Sequence, residues 1–208
     1  MEKKICILDY GSGNTRSVFN IINSISKNVV ISNEEEDINN ATHLILPGVG
    51  AYSSSMNKIK EKIPLECLKN NIFLSKKPFL GICVGMQVLS TFGFEFEKSK
   101  GLNFIEGEVK KVEFDQQNLI LPHVGWNSII KNNLKNELLL DIEDGEDFYF
   151  VHSFEFIPKN LDDVLAYVDY GKKIVSIIKK DNIFGVQFHP EKSQSSGVKL
   201  LTNFINIL

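Results

Sequence analysis

The sequence predicts an α/β fold: a central, mostly parallel sheet flanked by helices, with antiparallel β additions in its second half. Three observations lead there. In the first hundred residues short apolar runs alternate with longer amphipathic segments, the pattern of strand–helix units feeding a parallel sheet. Beyond residue 105 the apolar runs are β-rich and separated by turns, without long helical stretches between them. The 208 residues carry no Pro/Gly/Ser-rich linker, so the expectation is one domain over 1–208.

Taken in order, Lys4 to Leu8 reads as a buried strand ending at the turn Asp9-Tyr10-Gly11-Ser12-Gly13. Asn14 to Ser26 places Val18, Ile21, Ile22 and Ile25 at helical spacing. Val29–Ile31 and His43–Leu46 are the next strands, the second stopped by Pro47-Gly48-Val49-Gly50. Ser55 to Asn70 reads as one helix, Phe79–Ile82 as a strand and Gly85 to Phe92 as the helix that follows it. The later strands are Glu108–Phe114, Asp147–Val151, Val164–Val168, Ile174–Ile178 and Asn182–Phe188, before a closing helix from Gly197 to Ile207.

Charge and cysteine content narrow the function classes. Lys plus Arg number 23 against 26 Asp plus Glu, a formal net charge of -3, which argues against a nucleic-acid binder. No apolar stretch has the length of a membrane span or signal peptide. Three scattered cysteines, Cys6, Cys67 and Cys83, suit neither a disulfide framework nor a zinc site, and point to a reducing cytoplasm. No metal or cofactor is expected.

Two short segments carry chemistry. Gly81-Ile82-Cys83-Val84-Gly85 is a sharp strand-to-helix turn with a cysteine at its apex, where a helix N-terminus favours thiolate and flanking glycines permit close packing. His189-Pro190-Glu191 follows an apolar strand and supplies a base and a carboxylate to orient it. Each segment has a blander reading. Cys83 could be a buried structural thiol, as expected of Cys6 and Cys67, and His189 a surface histidine beside a solvated glutamate. The two together favour covalent acyl transfer. Asp9-Tyr10-Gly11-Ser12-Gly13 is no dinucleotide loop, because Arg16 stands where a third glycine belongs.

These segments also carry a family likeness. Pro78-x-Leu80-Gly81-Ile82-Cys83-x-Gly85-Met86-Gln87 and Gly185-Val186-Gln187-Phe188-His189-Pro190-Glu191-Lys192-Ser193 resemble class I (triad) glutamine amidotransferases, whose domain has a flavodoxin-like fold. Asp9-Tyr10-Gly11-x-Gly13-Asn14, Leu46-Pro47-Gly48-Val49-Gly50-Ala51, Pro122-His123-x-Gly125-Trp126-Asn127 and Tyr149-Phe150-Val151-His152-Ser153 are similar to glutaminase subunits of imidazole glycerol phosphate synthase. The likeness runs in register from residue 9 to about residue 205.

It implies a Cys83–His189–Glu191 triad that hydrolyses L-glutamine to glutamate and ammonia through a γ-glutamyl thioester. It assigns oxyanion stabilisation to the backbone at Val49 and Val84, with the Val49 peptide thought to flip when the partner is active. Glutamine contacts fall on Gly50, Gln87, Glu95, Ser153 and Phe154, the last standing where the family commonly has Tyr. Asn14, Trp126 and Lys192 match positions at an interface with a (β/α)8-barrel cyclase subunit of the HisF type, forming a heterodimer that serves histidine biosynthesis. Alone, these three read as an N-cap, a core tryptophan and a solvated lysine, while His43 reads as structural and His123 matches no triad role. The rival reading is a paralogous subunit supplying ammonia for amidination of surface-polysaccharide or nonulosonate sugars. A catalytically silent subunit is disfavoured because all three triad positions are filled.

Overall fold

The computed structural model describes residues 3–114, 119–132 and 135–207. Its first half is built of parallel β units. Strand β1 (Ile5–Leu8) leads into α1 (Thr15–Ile25) and β2 (Val29–Ser32). Helix α2 (Glu35–Asn40), β3 (His43–Gly48), α3 (Tyr52–Lys62) and α4 (Leu65–Lys69) follow, then β4 (Phe79–Cys83) and the four-residue α5 (Val84–Gln87). Every residue of β1, β3 and β4 is buried, as continuous apolar runs covered on both faces should be.

The second half adds β5 (Phe92–Phe94), β6 (Lys98–Lys100), β7 (Gly107–Lys111), β8 (His123–Lys131), β9 (Asp147–His152) and β10 (Phe154–Pro158). It finishes with β11 (Val164–Asp169), β12 (Lys173–Lys180), β13 (Ile183–Val186) and α6 (Gln194–Asn206). A nine-stranded sheet runs β2-β1-β3-β4-β13-β12-β11-β8-β9. It is parallel from β2 through β13 and antiparallel from there to β9. A separate four-stranded sheet runs β10-β7-β5-β6. Aromatic rings pack at the main sheet's antiparallel end, with Phe148 and Phe188 stacked at 4.1 Å between ring centres.

The α/β class and the antiparallel second half stand, while four sequence expectations need correcting. The helix expected over Ser55–Asn70 is broken at Ile63, which takes an extended backbone (φ -99°, ψ 129°) because Pro64 disfavours the helical conformation in the residue before it. The helix expected to run to Phe92 stops at Gln87. The Val88 and Leu89 carbonyls that would continue it accept instead from Leu102, Phe104 and Ile105, so Phe92 opens a strand. Gly197 does not begin the last helix. It lies inside α6, where a side chain would collide with the Pro190 carbonyl, and its bareness lets the helix close onto the His189 loop. The run Glu108–Phe114 forms a strand over Gly107–Lys111, in the second sheet rather than as an addition to the first.

Candidate active site

The strand ends meet at one cavity. It measures 240 Å³ and is lined by Val49, Gly50, Cys83, Val84, Gln87, Glu95, Pro122, Val151, His152, Ser153, Phe154 and His189. Strands β3 and β4 deliver Val49 and Cys83 side by side, since Gly48 is registered against Cys83. Strand β13 lies on the other side of β4 and leads directly to His189. The site thus sits at the carboxyl ends of adjacent parallel strands, where the next helix begins.

Cys83 occupies the elbow between β4 and α5 with φ 55° and ψ -114°, a positive-φ backbone unusual for a residue with a side chain. Two glycines make the turn possible by close approach. A Cβ at Gly85 would lie 1.9 Å from the Leu46 carbonyl oxygen, and one at Gly81 would lie 2.5 Å from that of Gly85. The Cys83 thiol is 3.8 Å from the Val151 carbonyl and 3.9 Å from the Gln187 amide nitrogen. Val84 is the first residue of α5, so its N–H is a helix-terminal donor without an intrahelical partner. Cys6, by contrast, is a core residue whose burial pushes its thiol up to about 12, beyond nucleophilic use at neutral pH.

His189 is fixed before its ring does anything. Its N–H donates to the Tyr149 carbonyl at 2.9 Å, and its carbonyl accepts from the Ser193 hydroxyl at 2.7 Å. Ser193 Oγ also accepts from Tyr149 N–H at 3.0 Å, so one buried serine locks the loop to β9. The ring's Nδ1 lies 2.8 Å from Glu191 Oε1, and both side chains are buried. Burial opposes a charge on the ring, but the Cys83 sulfur and the Glu191 carboxylate outweigh it and raise His189 to about 10. Glu191 Oε1 also accepts from the Asn14 amide at 3.3 Å, while its buried Oε2 has no hydrogen-bond partner among the described residues.

Gln87 projects from α5 with its amide nitrogen committed to the Phe154 carbonyl at 3.2 Å and to Gln187 Oε1 at 3.0 Å. Its Oε1 is left as an acceptor for a ligand. Glu95, just beyond β5, accepts from Tyr52 N–H at the start of α3. The Ser12 hydroxyl donates to the Val49 carbonyl at 3.2 Å and tethers the glycine loop from outside the cavity. Gly50 has φ 97° and open space around it.

The remaining sequence candidates lie outside the cavity. Trp126 is 47% exposed on β8, which goes against its alternative reading as a core tryptophan, and it meets the Tyr149 ring edge-on at 6.0 Å. Lys192 is exposed, its ammonium 5.6 Å from the same Tyr149 ring. Asn14 precedes α1 but makes no side-chain capping bond, having turned its amide to Glu191 instead. His43 is buried between the Thr42 hydroxyl and the Ile207 carbonyl, as a structural histidine should be.

Sequence reasoning passed over Gln187, which touches both Cys83 and Gln87 from within the Gly185–Ser193 motif. It also gave no role to the ring of His152, a residue that lines the cavity. Among the described residues no three or more His, Cys, Asp or Glu side chains are grouped to hold a metal ion. No helix among them is long and apolar enough to cross a membrane.

Known proteins share this sequence and this fold. The chain is 42% identical to "Imidazole glycerol phosphate synthase subunit HisH" of Leptospira interrogans over 98% of its own length and all of the relative's. It is 44% identical to "Imidazole glycerol phosphate synthase subunit HisH 1" of Campylobacter jejuni strain RM1221, over 98% and 100% respectively. Among solved structures, that of PurLQS from Thermotoga maritima superposes with a TM-score of 0.75 at 17% identity, covering 99% of both chains. A putative GMP synthase component from Thermoplasma acidophilum superposes at 0.72, with 21% identity, over 99% of this chain and 93% of the other. The glutamine amidotransferase class-I model matches residues 6–207, and the chain belongs to that family.

Proposed function

We propose that this chain is the glutaminase subunit of an imidazole glycerol phosphate synthase, hydrolysing glutamine and passing the ammonia to a (β/α)8-barrel cyclase subunit. The observation that carries the chemistry is Cys83 at the φ 55° elbow, opening into the same cavity as a buried, positively poised His189. The full-length relatives named as subunits of that synthase carry the pathway.

Cys83 passes its thiol proton to His189, and its sulfur attacks the side-chain carboxamide carbon of glutamine and forms a C–S bond, sending an electron pair onto oxygen. The Val84 N–H, and a backbone donor from the Val49 loop once its peptide has flipped, are the donors assigned to that oxygen. Each donor in such a site is worth about 2.7–4 kcal/mol of transition-state stabilisation. His189 gives its proton to the departing nitrogen as the C–N bond breaks, releasing ammonia and leaving the thioester. It then takes a proton from water, whose oxygen displaces the sulfur and yields glutamate. Glu191 holds Nδ1–H throughout, so Nε2 remains the working nitrogen. Gln87 Oε1 and Glu95 receive the substrate's α-ammonium, while the Gly50 and 153–154 backbone takes its carboxylate.

Trp126, Lys192 and the Val124 side chain, 56% exposed beside Trp126 on β8, form the face offered to the barrel. In the assembled synthase, Cys83→Ala should abolish glutamine-driven synthesis while synthesis from added ammonium salts continues. Continued glutamine use by that variant would remove Cys83 from the mechanism.

A further inference from the structure

Between the exposed strand β8 and the cavity lies a histidine pair that the triad does not use. His123 and His152 face each other across the β8–β9 ladder, both buried, with His123 Nδ1 3.0 Å from His152 Nε2. His152 Nδ1 is 2.9 Å from the Phe154 carbonyl oxygen. A carbonyl only accepts, so His152 Nδ1 carries the hydrogen. Desolvation lowers both rings to about 4, and both are neutral at pH 7. His152 Nε2 is therefore a bare acceptor, and His123 Nδ1 must be the donor to it.

The same logic continues outward. His123 Nε2 is left as an acceptor, and the Asn127 amide nitrogen lies 3.3 Å from it. The Asn127 amide is oriented independently: its oxygen accepts from Ser128 N–H at 2.8 Å and its nitrogen also donates to the Asp169 carbonyl at 2.9 Å. Every donor from Asn127 inward thus points the same way. His123 is clamped as a ring between Tyr170, stacked at 4.0 Å, and Phe150, stacked at 5.0 Å. The chain ends on the Phe154 carbonyl, which also receives Gln87.

We infer that His123 and His152 are positioning residues for glutamine, holding the Phe154 wall and Gln87 in binding geometry through a one-way relay of neutral hydrogen bonds that begins on strand β8. The relay leaves no room for reversal: turning either ring to its other tautomer sets two donors or two acceptors against each other. Asn127 neighbours Trp126 on β8, so the relay links the strand proposed to meet the cyclase with the cavity wall. The inference rests on the glutaminase reading of the cavity.

The test uses the full chain assembled with its cyclase partner and glutamine as the probe. His123→Phe keeps a ring between Tyr170 and Phe150 but removes the donor to His152, whereas His123→Asn restores a donor at the position of Nδ1. The phenylalanine variant should raise the glutamine KM about fivefold to tenfold, one neutral hydrogen bond's worth, with ammonia-driven synthesis unchanged. The asparagine variant should return KM toward that of the unaltered protein. A normal KM in His123→Phe, or an asparagine variant no better than phenylalanine, overturns the inference. Nitrogen-15 shifts of the unaltered protein give a reading that needs no variant to fold. Both rings should carry hydrogen on Nδ1 at pH 7, and hydrogen on Nε2 of either ring overturns the relay. Absence of glutamate release by the unaltered complex would sink the glutaminase reading instead, while the ring tautomers would still report on the relay.

Discussion

His189 shows how two neighbours decide a residue's charge. Its folded pKa, about 10, stands above the roughly 6.5 of an unfolded histidine, so folding is favoured by the protonated ring. That stabilisation is complete below about pH 6.5 and is lost as pH rises through 10. Glu191→Gln removes the charge that helps hold the proton, costing on the order of 1–3 kcal/mol at pH 6. Urea unfolding of both proteins should show that cost shrinking between pH 6.5 and 10, and a gap independent of pH would refute the ion-pair account. At this scale much of the site was legible in the sequence. Cys83, His189 and Glu191 lie in two short motifs with characteristic residues at fixed spacing. The Asn14 contact with Glu191 was not legible, because 177 residues separate them and an asparagine before a helix already has a local explanation as a cap. Gln187 and the His123–His152 pair escaped for a similar reason, since an amide on an apolar strand and a strand histidine acquire meaning only from cross-strand partners.

Among the elements, the β4–α5 elbow depends on empty space and the glycine loop on backbone freedom, and two alanine substitutions separate these causes. Gly85→Ala drives a methyl into the Leu46 carbonyl and should destabilise the fold by at least the 1–3 kcal/mol or so typical of overpacking. Gly50→Ala meets no atom within 4 Å and pays only for its positive-φ backbone, about 1–3 kcal/mol. Thermal unfolding should show the larger loss for Gly85, and equal losses would mean that the elbow is looser than its contacts imply. Strands β1, β3 and β4 were readable because burial on both faces makes them largely apolar. Strand β8 was not, because its nine residues mix Gly125, Trp126, Asn127 and Ser128, chosen for the relay and the outer face rather than for apolar alternation. Strands β5 and β6 have three residues each, too few to show a period. The length of α5 was settled by carbonyls taken up by residues 102–105, a tertiary effect invisible to local pattern.

Across the whole molecule, the two sheets divide the labour of the site. The nine-stranded sheet brings Cys83 and His189 to neighbouring strand ends, and the four-stranded sheet supplies Phe154 and holds Glu95 beside the cavity. A buried Glu155, paired with Lys172 from the β11–β12 turn, ties the second sheet to the first. The outer face of β8 alternates Val124 and Trp126 toward solvent while His123 and Ile129 face inward. If the proposed pairing with a barrel subunit holds, Trp126→Ala should leave the isolated chain folded yet weaken that association by about 2 kcal/mol or more, as expected of a central aromatic anchor. Calorimetric titration of one subunit into the other measures this, and unchanged affinity would move the interface elsewhere.

The buried pairing of Glu191 with His189 has a consequence for turnover. Among the described residues neither lysine nor arginine lines the cavity, and His152 is neutral at pH 7. His189 is the one lining group left to carry positive charge, and the Glu191 carboxylate at 2.8 Å already balances it. Glutamine brings an uncharged carboxamide to the reacting end, whereas glutamate leaves a carboxylate in the same place. The cavity thus offers the product's new negative charge only the backbone donors that served the oxyanion, with no lining side-chain cation left over to hold it.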